Sequence, residues 1–354
     1  MYGAVRMKWI GQIAFLFSLI MSIQATAQEL PAAELKVLGG LSSRPTYKEI
    51  ELPFWTKTIP TDSKGQITAE VKAYDDMGLK GPELFKLMKQ GVIEFGVVPF
   101  SYYANEFPVS EAIDIAGLAT DPKTARTAVS AYTSVLSKAI SGSYQSKLLG
   151  VSPYAPQVLF CNFPIQNLQG LRGKKVRTVT RSQSELIEAL GAKSTTVAFN
   201  DVPSAFKNKS IACAVAGAMS AYQAKWYTVT THIYALPLGW NMEAHAVNQK
   251  AWDQLDPAVQ GFLTAKISTL IDSLWNFSSQ QTQLGYDCNT GQKACPFGLK
   301  GKMKLVRPSP DDIALAKRLS MQKVAPKWAA RCSSQCVSDF NQTIGKTFKF
   351  TLKK

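Results

Sequence analysis

The chain has 354 residues, enough for about two domains of ordinary size, and its 46% apolar and 18% charged content excludes a globally disordered protein. The formal charge is +15, but Lys and Arg are scattered from Arg44 to Lys354 with no RNP, zinc-finger or basic-helix pattern, which argues for a solvated basic surface and against nucleic acid as a partner.

The first segment reads as an address. Arg6 and Lys8 precede the apolar run "IAFLFSLIMSI" at 13–23, and small residues stand at Ala25 and Ala27. This pattern predicts a cleavable signal peptide over 1–27, an exported protein and a periplasmic location. The run is shorter than the ~20 apolar residues of a membrane span. Removing it leaves a charge of +13, because residues 1–27 hold two cations and no acid.

From residue 35 onward the pattern alternates between strand and helix. "LKVLG" at 35–39 reads as a strand, and a helical stretch with Pro45 in its first turn follows. "QITAEVKAY" at 66–74 alternates like a strand. "GPELFKLMKQG" at 81–91 places Leu84, Leu87 and Met88 on one helix face and stops at Gly91, and "IEFGVVPF" at 93–100 is a third strand. A helix is expected from Asp121-Pro122 through Leu136, and "VSPYAPQVLFCN" at 151–162 leads to a second unit.

There the order repeats. "KKVRTV" at 174–179, "STTVAF" at 194–199 and "SIACAVAG" at 210–217 read as strands. The first intervening helix carries a capping-box pattern at Ser182 and Glu185 and stops at Gly191; the second is expected to start at Asp201. "GWNMEAHAVN" at 239–248 looks like a strand returning to the first unit, and a long helix runs from Asp256-Pro257 to about Leu284. The fold expected is therefore α/β: two βαβαβ domains joined by hinge strands and a long helix in a two-lobed, periplasmic-binding-protein-like arrangement. The lobes divide as 28–157 with 241–275, and 158–240 with 276–354. Their facing strand ends form a cleft suited to a small molecule.

Six cysteines in an exported chain predict disulfides. A zinc site is the rival, but the spacings are not C-x2-C and the chain has two histidines, His232 and His245. Fifteen connectivities are possible. The nearest-neighbour scheme is Cys288–Cys295, Cys332–Cys336 and, by elimination, Cys161–Cys213.

The stretch "LQGLRGKKVRTVTRSQSELIEALGAKSTTVAFNDVPSAFKNKSIACAVAG" resembles the signature region of the periplasmic solute receptors of TRAP transporters, of the dicarboxylate-receptor (DctP) type. "GLKGPELFKLMKQGVIEFGVV" and "HAVNQKAWDQLDPAVQGFL" are similar to further segments of that family. The resemblance implies a soluble receptor that binds a small organic carboxylate and delivers it to an ion-driven membrane permease, with no cofactor and no catalysis. It also implies that Arg177, in the "GKKVR" strand, forms the salt bridge to the substrate carboxylate. A guanidinium is suited to this, because it binds a carboxylate through a planar, two-pronged contact that Lys174 or Lys175 does not match.

Two positions depart from the family pattern. On the preceding strand, where many members carry another Arg, this chain has "PQVLFCN", with Gln157 the nearest polar residue. After the last strand, where an Asn is frequent, it has Gly217, Ser220 and Tyr222, the last equally able to pack in the core. Phe100, Phe199 and Trp240 stand near strand ends as pocket walls or as plain core. The first lobe offers Ser43 or Tyr47, and Asp76 or Met77. One committed Arg favours a monocarboxylate, while Arg44 and Arg181 are the candidates to serve a second carboxylate. The rival functions are a receptor for an ATP-driven importer and an exported enzyme; no G-x-S-x-G, H-E-x-x-H or P-loop pattern supports the latter.

Overall fold

The computed structural model describes residues 1–3 and 29–354. The leader peptide expected over 1–27 falls, beyond its first three residues, outside them. Among the described residues no helix is long and apolar enough to cross a membrane.

Among the described residues eleven strands form two sheets. β1 (Ala33–Gly39), β2 (Ile67–Ala73), β3 (Phe95–Pro99), β4 (Ser146–Pro153) and β10 (Met242–Asn248) make the first, in the order β2-β1-β3-β10-β4. β5 (Gln157–Cys161), β6 (Lys175–Arg177), β7 (Lys193–Thr195), β8 (Cys213–Gly217), β9 (His232–Tyr234) and β11 (Lys304–Val306) make the second, in the order β11-β9-β5-β8-β6-β7. Each sheet contains one parallel βαβαβ unit of the same winding: β2-β1-β3 in one, β7-β6-β8 in the other. The architecture is thus the two-lobed α/β fold anticipated from the repeat.

In each sheet an antiparallel strand lies beside the third strand of the unit, β10 on β3 and β5 on β8. These are the strands that have just crossed between lobes. The crossings run side by side: the N–H groups of Tyr154, Ala155 and Gln157 donate to the carbonyls of Asn241, Trp240 and Gly239. The hinge is therefore a hydrogen-bonded ribbon continuous with both sheets. β10, β5 and β8 are buried along their whole length; β5 and β8 are accordingly almost wholly apolar, while β10 carries Glu243, His245 and Asn248 inside.

The helix Pro257–Thr290 spans the hinge. Asp256 caps it by accepting from the Ala258 N–H, and Gly291 ends it in the left-handed conformation, φ 71°. Its first half buries Val259, Leu263, Ile267 and Leu270 with Trp55, Phe95 and Trp252 of the first lobe. Its second half meets the helix Ala218–Gln223 at Gly285, where an added Cβ would come within 2.4 Å of the Met219 nitrogen. The C-terminal helices straddle the two sheets. Ala325–Arg331 lies on the segment Pro108–Asp114, with Trp328 Nε1 donating to the Pro108 carbonyl at 2.8 Å, while 320–324 packs on Arg181–Ala189.

Three details differ from the sequence reading. The second-unit strands are shorter than expected, and Phe199 begins a helical turn rather than ending β7. The capping box of Arg181–Ala189 is Thr180 with Gln183, two residues early, because β6 ends at Arg177 and the chain turns at once. Ser182 is thereby released to accept a hydrogen bond from the Ala116 N–H of the other lobe, at 2.5 Å. Asp201 makes no side-chain cap; its helix, Val202–Lys207, starts behind another helical turn.

All three disulfides follow the nearest-neighbour scheme: Cys161–Cys213, Cys288–Cys295 and Cys332–Cys336. Cys161 and Cys213 are direct partners in the β5–β8 register, so the bond ties the hinge strand to the centre of the second sheet. It closes a loop of 52 residues. Replacing both cysteines by Ala is expected to lower the unfolding free energy by about 2–4 kcal/mol, measured by denaturant titration under oxidising conditions. An unchanged midpoint would show that this bond adds nothing to the fold.

Candidate functional site

Arg177 is the last residue of β6, paired with Thr195 on one side and Ala214 on the other. It is only 7% exposed. Its Nε donates to the Val197 carbonyl at 3.0 Å and its Nη1 to the Val215 carbonyl at 2.7 Å. Both acceptors are neutral, and no acid forms an ion pair with Arg177 among the described residues. Burial alone pulls its pKa down to about 10. Two backbone oxygens fix the plane of the guanidinium while its charge stays uncompensated.

The loops that leave the strand ends of the two lobes face each other across two narrow hollows, of ≈ 30 and ≈ 20 Å³. One is lined by Phe100, Ser101 and Asp114 of the first lobe, Thr180 and Ser182 of the second, and Asn241 of the hinge. The other is lined by Pro45, Thr46, Tyr154, Ala155, Ser220 and residues of the long helix, among them Ser278 and Gln281. Arg177 is in neither lining. It lies on the strand between them, three residues before Thr180 and beside β8, which leads to Ser220.

The first lobe holds a second arginine in the opposite electrostatic state. Arg44 pairs with Glu243 and lies 3.9 Å from the centroid of the Tyr154 ring. Burial works against its charge, but Glu243, with Tyr154 and Tyr74, holds its pKa above the ordinary value. Beside it, Glu51 accepts from the Gly40 N–H at 2.8 Å. Burial first, then the charge of Glu243, pushes the Glu51 carboxyl up to about 7. His245 meets Ser152 Oγ at 2.9 Å, and burial lowers its pKa to about 4, so it is a neutral structural group.

The other sequence candidates fall into two sets. Gln157 is buried at the start of β5, opposite Gly217 in the ladder, its Nε2 donating to the Ala155 carbonyl at 2.9 Å. Ser220 meets Tyr154 OH at 2.6 Å, and Phe100 walls the first hollow. These lie between the lobes. Tyr222 does not: its OH donates to the Leu299 carbonyl at 2.6 Å and its ring stacks on Tyr227, which is the packing alternative. Phe199 leans on Trp226, and Trp240 is buried in the hinge with Nε1 donating to the Ala119 carbonyl. Ser43 and Asp76 are exposed; their neighbours carry the contact between those loops, with Ser42 N and Oγ both bonded to the Asp75 carboxylate. Tyr47 packs against Gly39, and Met77 is exposed. Arg181, offered for a second carboxylate, binds Asn105 of the facing lobe.

Sequence reading missed Glu51, Asp114, Tyr154 and Glu243. Asp114 accepts from the N–H groups of Trp240 at 2.7 Å and Asn241 at 2.9 Å, anchoring the hinge to the first lobe. The one available signal was an acid in an otherwise apolar run, "AIDIAGLA" at 112–119. Among the described residues no group of acids, histidines and cysteines is placed to hold a metal.

A family model described as bacterial extracellular solute-binding protein, family 7 (DctP), matches residues 39–283. No curated protein sequence matches the chain. Several solved structures share the fold. A Bordetella pertussis extracytoplasmic solute receptor binding pyroglutamic acid is 19% identical, covering 88% of this chain and 99% of its own, with a TM-score of 0.72. A TRAP periplasmic solute-binding protein from Desulfovibrio salexigens with bound orotic acid is 16% identical, covering 89% and 97%, TM-score 0.71. One from Ochrobactrum anthropi, with a C-terminus bound in its ligand-binding pocket, is 16% identical, covering 90% and 97%, TM-score 0.77.

The buried acid makes a prediction. The folded pKa of Glu51 lies above its ordinary 4.5, so ionised Glu51 is the destabilising form. Its contribution to stability is fully present below about pH 4.5 and is lost as the pH rises through about 7. Measured against Glu51→Gln, the native chain should therefore gain about 1–3 kcal/mol on acidification from about pH 8 to about pH 5. Urea titrations of both proteins giving the same difference at the two pH values would contradict this placement of the charge.

Proposed function

Because the chain belongs to family 7 of the bacterial extracellular solute-binding proteins, the DctP-type receptors of TRAP transport, we propose that it captures a small organic monocarboxylate between its lobes, with Arg177 as the anchor. The observation that carries this reading is how the charges of two arginines are compensated. Arg44 is neutralised by Glu243, whereas Arg177 is held by two carbonyls and has no counter-ion. A ligand carboxylate is the natural partner for the second, since a desolvated guanidinium gains most from a bidentate anion.

The ligand class rests on the same contrast. With Arg44 neutralised by Glu243 and Arg181 exposed to solvent, Arg177 is the buried cation left without an acid partner among the described residues, which favours one carboxylate. Pyroglutamate and orotate, bound in two of the similar structures, each present a single carboxylate. Gln157 and Ser220 are the proposed hydrogen-bonding partners for a keto, hydroxyl or amide group, and Phe100 a wall. The lobes, moving about the 154–156 and 235–241 crossings, close on the ligand, and the closed form is what an ion-driven permease receives. The reading includes export by the N-terminal leader and no catalytic turnover.

Native purification followed by mass spectrometry of the released small molecule identifies the ligand. Thermal-shift titration then compares pyroglutamate and orotate with succinate and malate. Arg177→Lys should keep the fold and weaken the best ligand by about 2–5 kcal/mol, because the planar fork is lost. Calorimetry showing unchanged affinity in Arg177→Lys would overturn the anchor, and preferential stabilisation by the dicarboxylates would overturn the ligand class.

A further inference from the structure

The segment 288–310 contains no acid and five exposed cations: Lys293, Lys300, Lys302, Lys304 and Arg307. None of the five is in an ion pair among the described residues. Among them stand two of the most exposed large apolar side chains of the described chain, Phe297 at 51% and Leu299 at 65%. Exposed aromatic and aliphatic side chains ringed by lysines are costly to keep in water and gain nothing there.

The loop that carries them is built, not loose. Cys288–Cys295 closes its base. Gly301 N–H donates to the Cys288 carbonyl at 2.8 Å, and Met303 N–H to the Asn289 carbonyl at 3.1 Å. Tyr222 holds the tip, its OH on the Leu299 carbonyl at 2.6 Å and its ring 6.1 Å from that of Phe297. The loop thus presents Phe297 and Leu299 at little further entropic cost, since the backbone is already ordered.

We propose that this stapled loop is a docking surface for an anionic phospholipid bilayer. The charge pattern selects the partner: five cations without an acid complement a surface of headgroup phosphates, and a Phe and a Leu at the tip reach the acyl boundary where neutral water-facing docking would leave them exposed. Docking there holds a soluble receptor in the plane of a membrane, which shortens its search for a membrane partner. This surface is separate from the Arg177 site and does not depend on the ligand assignment.

Co-sedimentation of the full chain tests it, with vesicles of about 30% phosphatidylglycerol in phosphatidylcholine, with pure phosphatidylcholine, and with each at low and high salt. Binding is expected to the anionic vesicles only and to weaken at high salt. Replacing Lys300, Lys302 and Lys304 by Gln should weaken it at least about tenfold, and Phe297→Ser with Leu299→Ser should do so at both salt levels. Replacing Lys57, Lys80 and Lys123 by Gln removes the same charge from exposed positions elsewhere and should change binding little. Circular dichroism checks that each variant is folded. Equal binding to both lipids, equal losses in the two lysine variants, or a folded Phe297→Ser/Leu299→Ser variant that binds normally would each overturn the proposal. So would capture of an acidic protein surface, such as a soluble polyglutamate, in place of vesicles.

Discussion

Arg177 donates to the carbonyls of Val197 and Val215, and the two carbonyls come from different parts of the second lobe. Val215 is central in β8, which pairs on one side with β6 and on the other with the hinge strand β5. The Cys161–Cys213 bond fixes that second pairing at its end. Val197 follows β7, which is registered to β6 with Thr195 opposite Arg177 itself. The three short strands and the cross-strand bond therefore act together to aim one guanidinium. A buried cation with only neutral acceptors costs stability, a cost that the proposed carboxylate ligand would relieve.

The same hinge that brings β5 to this site is tied to the first lobe by polar contacts. Asp114 takes the N–H groups of Trp240 and Asn241, and Ser182 takes that of Ala116. At the far side Arg331 binds Glu111 of the first lobe and Glu185 of the helix after β6. Interlobe contacts of this kind exchange for water at small net cost, unlike the apolar cluster around Trp240, Met242 and Trp275 that runs through the crossing itself. The crossing is thus held by an apolar cluster, and the contacts that tie the lobes around it are polar.

Much of this organisation was legible in the sequence. Two βαβαβ patterns, a returning strand at 239–248 and a capped long helix are local signals, and each corresponds to an element of the fold. The cysteine pairs were legible because two of them are close in sequence and the third follows by elimination. The charge partners were not. Arg44 and Glu243 are 199 residues apart, and nothing in either neighbourhood marks the pair. Strand lengths in the second unit were overestimated because apolar periodicity continues past Arg177 and Thr195 into loops, where Val179 is exposed and Val197 and Phe199 lean on the apolar cluster of their own lobe without joining a ladder. Tyr222 misled for a related reason: a helix start beside a strand end has one face toward the cleft, taken by Ser220, and another toward the 288–303 loop, taken by Tyr222.

The Arg44–Glu243 pair also bears on what the cleft can accept. For Arg44 to serve a second carboxylate it would have to leave Glu243, which is buried beside Glu51. Glu243 would then lose its cation within a site where its charge already raises the pKa of Glu51. Breaking a buried pair by withdrawing one partner costs about 3–5 kcal/mol, chiefly from the charge left behind. A second ligand carboxylate would have to return that amount before contributing any affinity. Arg177 asks for no such exchange, because no acid has to be abandoned when it takes an anion. In the function proposed above, selectivity for one carboxylate over two would therefore reside less in Arg177 than in the glutamate that withholds Arg44.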